Sequence, residues 1–396
     1  MSELHELCAL PRPITPDHLV KLKEYLSAGI PATYTLEEVD QFERGVEEEL
    51  SSTTTPLHII CENVAEDFTD EETQIVEQMI DELFLNGAGW CLVSSKNETP
   101  GCVLDRRGFR GSKYWEQIVA AGVRAEVFLR HMESNVEFID EDEIDGFEEE
   151  QVAGTVEEEK KEEYDPAGDN ATFLQSKLEY TDDALLTDRK DGVMMQWEDK
   201  LMKAGCDSLF KSAEDPDNVV VLNIGFGMGI IDTMIQEKKP KKHYICEAHP
   251  DVLAKMERDG WFKKEGVVVL KGRWQETLPP LLSQGVFFDG IYFDTFSEQY
   301  SDMLELYDII VGLLKPEGVF SFFNGLGADR LVCYEVYKRV VDLDLNNYGL
   351  GVEYTQLDVP QTTKPEAEGS VWNGIYRPYW TCPVYYHPEV RFMTTV

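Results

Sequence analysis

The sequence predicts an α/β protein: a doubly wound, largely parallel sheet behind a small helical domain. Three observations carry this reading. Val219-Val-Val-Leu-Asn-Ile224 is an unbroken apolar run, the pattern of a strand buried on both faces. It breaks into Gly225, Gly227 and Gly229 and then into a helix-like Ile230-Ile231-Asp232. From there to the C-terminus, strand-like and helix-like segments alternate, the signature of crossover connections between parallel strands.

Composition bounds the rest. With 396 residues, 42% of them hydrophobic, the chain can fill two cores. The formal net charge of −40 argues against a surface that grips bare nucleic acid or anionic lipid and predicts attraction to a basic protein partner. Eight cysteines without a C-x-x-C pair read as reduced core thiols, and no metal site is expected. With no run of transmembrane length and no signal-like N-terminus, the expectation is a soluble protein of the cytoplasm and nucleus.

Residues 1–132 read as an ankyrin-like helical domain. Thr55-Pro56-Leu57-His58 is close to the start of an ankyrin unit, and tight turns are expected at Gly29, Gly87 and Gly122, with an acidic insertion around 34–50. Such a domain either binds a partner or only packs on its neighbour; His58 reads as a satisfied turn histidine. Residues 133–165 are too acidic to offset their ordering entropy and read as a linker, so the second domain spans 166–396. Its first stretch, 170–212, is expected to be mostly helix. Strands follow at 219–224, 243–247, 266–270, 287–293 and 319–323, and a closing antiparallel pair at 351–359 and 384–392, seven in all. An aromatic loop with Trp372, Tyr376, Tyr379 and Trp380 separates the last two.

The glycine spacing narrows the ligand. A dinucleotide fingerprint needs G-x-G-x-x-G, whereas here Gly229 comes one position early and Ile230 fills the third slot. Glu247 ends the second strand 22 residues after Gly225, a spacing suited to a carboxylate on a ribose. Together these favour S-adenosylmethionine. At the same strand-end edge lies Asp294, an acid after the apolar strand Phe287–Phe293, which is either a helix cap or a carboxylate that holds a cationic group.

Six segments are also similar to a known family: Val-Met-x-x-Trp-Glu (193–198), Gly-Phe-Gly-Met (225–228), Gly-x-Trp-x-Glu (272–276), Phe-Asp-Gly-Ile-x-x-Asp-Thr (288–295), Leu-Leu-Lys-Pro-x-Gly (313–318) and Tyr-Tyr (385–386). Residues 190–390 resemble guanidinoacetate N-methyltransferases. With the N-terminal extension, the chain resembles the fungal protein-arginine N5-methyltransferases. The resemblance implies a class I methyltransferase sheet and methyl transfer from S-adenosylmethionine to the delta nitrogen of an arginine, in a ribosomal protein. It implies that Glu198 and Asp294 bind the guanidinium, and that Glu247 and the loop Gly225, Phe226, Gly227, Met228, Gly229, Ile230 and Ile231 hold the cofactor with Ala248 and His249. Trp274 and Gln275 would lie along the adenine, with Met194 and Tyr180 closing over it. Asn324-Gly325-Leu326-Gly327 departs from the small-molecule enzymes, whose hydroxyl residues there meet a free carboxylate, and so favours a protein substrate. The competing expectations are a small-guanidine methyltransferase and a binding protein with an inactive cofactor fold.

Overall fold

A computed structural model describes residues 2–45, 53–133, 164–211 and 215–393. The chain divides into two compact units, Met1–Phe138 with Arg330–Val340, and Ile139–Asp329 with Val341–Val396. The acidic linker expected at 133–165 and part of the insertion at 34–50 lie almost wholly or partly outside the described residues.

The first unit is helical: α1 (Glu3–Cys8), α2 (Pro16–Ser27), α3 (Leu36–Arg44), α4 (Pro56–Asn63), α5 (Asp70–Leu85), α6 (Pro100–Arg106) and α7 (Lys113–Glu133). Threonine-proline pairs open α2, α4 and α6, placing a cap before a residue that needs no N–H. His58 is satisfied as read: its Nδ1 accepts from the Thr55 N–H at 3.2 Å and its Nε2 meets the Glu98 carbonyl at 3.0 Å. Thr15 and His18 repeat the device, with a 3.2 Å bond. Gly29 and Gly87 do turn the chain after α2 and α5, with φ of 93° and 88°. Gly122 does not. It lies inside α7, where a Cβ would meet Val336 at 2.6 Å and the Trp90 ring at 3.0 Å, so it is a helix-packing contact and not a turn.

The second unit begins with α8 (Asn170–Gln175) and a three-stranded antiparallel sheet, β1 (Leu178–Tyr180), β2 (Ala184–Thr187) and β3 (Gly192–Met195). This corrects the helical reading of 170–212: among the described residues only α8 and α9 (Asp199–Leu209) are α-helical there. Leu, Met and Ala favour helix, but the turns at Thr181–Ala184 and Thr187–Asp191 fold the segment into hairpins that bury both sides of β2.

The main sheet has β4 (Val220–Ile224), β5 (Lys242–Glu247), β6 (Val267–Lys271), β7 (Phe288–Phe293), β8 (Leu314–Phe322), β9 (Leu350–Asp358) and β10 (Val384–Phe392). Its order is β6-β5-β4-β7-β8-β10-β9, with the first five strands parallel and β10 antiparallel to both neighbours. This is a mixed seven-stranded sheet of the order that the resemblance to class I methyltransferases implies. The crossovers are α10 (Ile230–Glu237), α11 (Pro250–Arg258), the short α12 (Trp274–Thr277) and α13 (Pro279–Ser283), α14 (Tyr300–Leu313) and α15 (Leu331–Asn347). The reversal of strand order falls between β4 and its neighbours, so the carboxyl ends of β4, β5 and β7 flank one crevice.

Glycines set how closely α9 lies on β7. A Cβ at Gly205 would fall 2.5 Å from the Tyr292 ring, and one at Gly290 2.6 Å from the Leu209 Cβ. Glu198 immediately precedes α9 and Asp294 immediately follows β7, so this contact also governs the spacing of the two acids. Gly290→Ala is expected to cost about 1–3 kcal/mol through overpacking, read as a lowered denaturant midpoint. It should also reduce turnover more than it reduces cofactor affinity.

Candidate active site

The crevice is built on the turn between β4 and α10. Gly225, Gly227 and Gly229 have φ of 91°, 52° and 75°. Gly225 has no alternative: a Cβ there would lie 1.9 Å from the Asp294 carbonyl oxygen, because the ends of β4 and β7 meet through Asp294 N–H donating to the Ile224 carbonyl at 2.8 Å. Behind the turn, Asn223 Nδ2 donates to the Gly225 carbonyl at 2.7 Å and to buried Asp232, which also meets buried His243 at 3.1 Å.

Glu247 ends β5 and is buried. Its carboxylate accepts from the Phe226 N–H at 2.9 Å and the His249 N–H at 2.6 Å. Burial pushes its pKa up, against the pull of those backbone donors. Gly225, Gly227, Glu247, Ala248, His249, Met194, Trp274 and Asp294 line one pocket. The Met194 sulfur accepts from the Met228 N–H at 3.3 Å, and the Trp274 Nε1–H donates to Glu298 at 2.9 Å.

Seven of the expected cofactor residues lie outside that lining. Phe226 turns its ring into the core against Trp261, centroids 5.0 Å apart, and contributes its N–H to Glu247 instead. Ile230 and Ile231 pack among the core residues of α9, as the first turn of an amphipathic helix must. Met228 packs at the edge of that cluster, and Gly229 is the N-cap of α10. Gln275 hydrogen-bonds Glu298 from outside the pocket. Tyr180 hydrogen-bonds the Gly227 carbonyl at 3.0 Å, bracing the turn from behind and not closing over the cavity.

The residues that do close it were missed in the sequence. Helix α8 supplies Asn170, Phe173 and Leu174. The Phe173 ring lies 4.9 Å from both His249 and Phe296, and its carbonyl meets His249 Nε2 at 3.0 Å. The other missed group is Glu298, which accepts from Trp274 and, at 2.6 Å, from the Thr295 hydroxyl. The Phe173-Leu174 pair close behind the capping Asp169 was a signal for α8; for Glu298 the signal was only its place four residues after Asp294.

Glu198, Asp294, Glu298, Tyr379, Gly325 and Leu326 line a second pocket. Asp294 and Glu298 belong to both pockets, so they form part of the wall between them. Glu198 is buried and accepts, on Oε1, from the Met195 N–H at 3.0 Å and from the Tyr379 hydroxyl. Asp294 keeps its Oδ2 sealed from solvent without a hydrogen-bond donor among the described residues. Burial raises the pKa of both acids, helped for Glu198 by the charge of Asp294 and for Asp294 by that of Asp232. Asp294 Oδ2 is therefore not filled as a helix cap would be, and burial favours its protonated form while no cation is near.

The lining fits S-adenosylmethionine by the chemistry of its groups. A buried carboxylate beside backbone N–H groups suits ribose hydroxyls, a large aromatic suits an adenine, and the acids at the shared wall suit a sulfonium. No group of three or more His, Cys, Asp or Glu able to hold a metal occurs among the described residues.

Over 167–338 the chain matches the family model of guanidinoacetate N-methyltransferase. It is 54% identical to protein arginine N-methyltransferase 2 of Debaryomyces hansenii, over 99% of this chain and 100% of that one. It is 48% identical to the protein of the same name from Saccharomyces cerevisiae, with the same coverage. Spermidine synthase from Thermotoga maritima is a solved structure with a TM-score of 0.38 and 14% identity, over 54% of this chain and 71% of that one, too distant to add to this.

The raised pKa values have a testable sign. A carboxyl whose pKa is higher folded than unfolded favours the folded state when protonated, and that contribution is lost as pH rises from the unfolded value through the folded one. Without ligand, Glu198→Gln should therefore melt higher than wild type at pH 8, by about 1.4 kcal/mol for each tenfold displacement of the proton equilibrium. The two curves should converge near pH 4. Melts at both pH values check this; a variant less stable at pH 8 would contradict it.

Proposed function

Because the chain belongs to the protein arginine N-methyltransferase 2 family of fungi, we propose that it methylates the delta nitrogen of a peptide-linked arginine, in a ribosomal protein. The family makes it an enzyme acting on protein arginine, with S-adenosylmethionine as methyl donor. The observation that carries the finer reading is Asp294, which lines both pockets and keeps a buried oxygen without a donor among the described residues, together with Glu198 in the second pocket.

A guanidinium has a pKa of about 12.5–13.8 and delocalised lone pairs, so it is a poor nucleophile. Two carboxylates holding the terminal amino groups of the planar fork would orient it and leave the inner nitrogen toward the cofactor side. The cation restores the charge that burial denies these acids. Once ionised beside it, either one would be placed to accept the proton the nitrogen must lose. Glu247 would hold the ribose hydroxyls and Trp274 the adenine. When bound, S-adenosylmethionine supplies the electrophilic methyl group.

Thr295, Ser297, Gln299 and Tyr300 bring polar groups to the second pocket, but its 324–327 side offers none to a free amino-acid carboxylate. Asn324 is buried, its side chain given to the Tyr386 carbonyl and its N–H to the Tyr385 hydroxyl, which leaves Gly325 and Leu326 at the lining. This supports a protein substrate. The helical unit is assigned to recruiting it, and the cytoplasm and nucleus are the places where ribosomal proteins would be met.

Three measurements test the assignment. Ribosomal proteins from cells lacking the enzyme should take up methyl on the delta nitrogen, read by fragmentation mass spectrometry; methyl on a terminal nitrogen would overturn it. Asp294→Asn and Glu198→Gln should each lose on the order of a hundredfold in kcat/KM, with sub-additive losses when combined. Glu247→Gln should bind S-adenosylmethionine roughly tenfold or more weakly in calorimetry, with an unchanged melt.

A further inference from the structure

The loop between β9 and β10 carries an aromatic cluster that the assignment above does not use. Its Tyr379 is wedged in place. The ring stacks on Trp197 with centroids 6.3 Å apart, meets Trp372 edge-on at 4.9 Å, and lies against Gly192, where a Cβ would stand 3.0 Å from it. Backbone bonds fix the loop on both sides: Tyr376 N–H donates to the Lys190 carbonyl at 2.9 Å, and Thr381 N–H to the Ala328 carbonyl at 3.0 Å. From this rigid seat the Tyr379 hydroxyl donates to Glu198 Oε1, the oxygen that also takes the Met195 N–H. Oε2 receives no hydrogen bond from the described residues.

We infer that Tyr379 is a positioning residue for methyl transfer: its hydroxyl and the Met195 N–H occupy one oxygen of Glu198, so that the other is presented to the guanidinium as a fixed anionic acceptor. This rests on the assignment of Glu198 to the substrate guanidinium. Tyrosine suits the task because a phenol donates one hydrogen bond while its ring bears on neighbours, which a water or a lysine would not do. A cation at that place would compete with the substrate, whereas the phenol is neutral. The ring also lines the second pocket beside Gly325 and Leu326, so it shapes the channel for the arginine's methylene chain.

The groups facing Glu198 are Asp294, at the end of β7, and the phenols of Tyr379, Tyr292 and Tyr385. Of these, Tyr379 is the one that donates to its carboxylate, and that bond favours the ionised form.

Tyr379→Phe keeps the ring and deletes the donor. The expected result with ribosomal proteins as substrate is a fall in kcat/KM of about 10- to 100-fold. S-adenosylmethionine affinity should be unchanged, and the acid limb of the pH profile should move to higher pH. Infrared difference titration, with Glu198→Gln identifying the carboxyl band, should show the Glu198 midpoint rising in Tyr379→Phe, and this readout needs no substrate. An unmoved midpoint and pH profile, with or without a lower melting temperature, would overturn the inference and leave Tyr379 a packing residue. Near-normal turnover in Glu198→Gln would instead overturn the role of Glu198 itself. A dead Glu198→Gln beside a wild-type Tyr379→Phe would sink only the positioning role.

Discussion

The constraint on which this site depends is the burial of two carboxylates, Glu198 and Asp294, in a pocket where the described residues offer Asp294 Oδ2 no donor. Removing anions from water is costly unless a partner of opposite charge is present, and the cost appears here as raised pKa values. The fold holds that cost in place by backbone and not by side chains that could relax. Asp294 is pinned where the main chain of β7 meets that of β4, at a point so close that only glycine fits opposite it. Glu198 is pinned by a turn leading into α9, whose distance from β7 is set by Gly205 and Gly290.

The arrangement favours a cation on the proposed assignment. A guanidinium entering the second pocket would gain two partners and relieve their destabilisation, while a neutral or anionic side chain would gain neither. The net charge of −40 would act in the same direction at longer range. Glu298 extends the acidic wall, but its oxygens are engaged by Trp274 and Thr295. It therefore ties the tryptophan to the loop after β7 and couples the cofactor side of the wall to the substrate side.

What could be read in the sequence was what lies on strands. β4, β5 and β7 are buried on both faces, so they appear as continuous apolar runs, and the acid or glycine ending each run is visible at once: Gly225, Glu247, Asp294. The side-chain directions after those ends were not legible. Phe226, Ile230 and Ile231 sit in the right turn yet face the core, because a helix entering the sheet must bury its first apolar residues. The 178–195 hairpins were masked by helix-favouring leucines and methionines, and Gly122 by its likeness to a turn, since packing inside a helix leaves the same small residue. Phe173, Glu298 and Tyr379 reach the pockets from loops and a short helix, and no local period marks a contact made across 76 or 181 residues of chain.

The division of labour between these two classes of residue is itself physical. Strand ends are held by hydrogen bonds on both sides, so groups that must be placed within fractions of an ångström belong there, and Asp294 and Glu247 stand at such ends. Loops tolerate substitution, so they are where one guanidine-binding site can differ from another. At the end of β8, Asn324 is consumed by the tyrosines of β10, and the residues left to face the pocket, Gly325 and Leu326, have no hydroxyl or charge with which to hold a carboxylate. An arginine within a polypeptide has no such carboxylate beside it; its α-carbon is flanked by amides. On the proposed assignment the same paired acids would serve a small guanidino acid or a protein, and the 324–327 loop, which contributes space, would favour the protein.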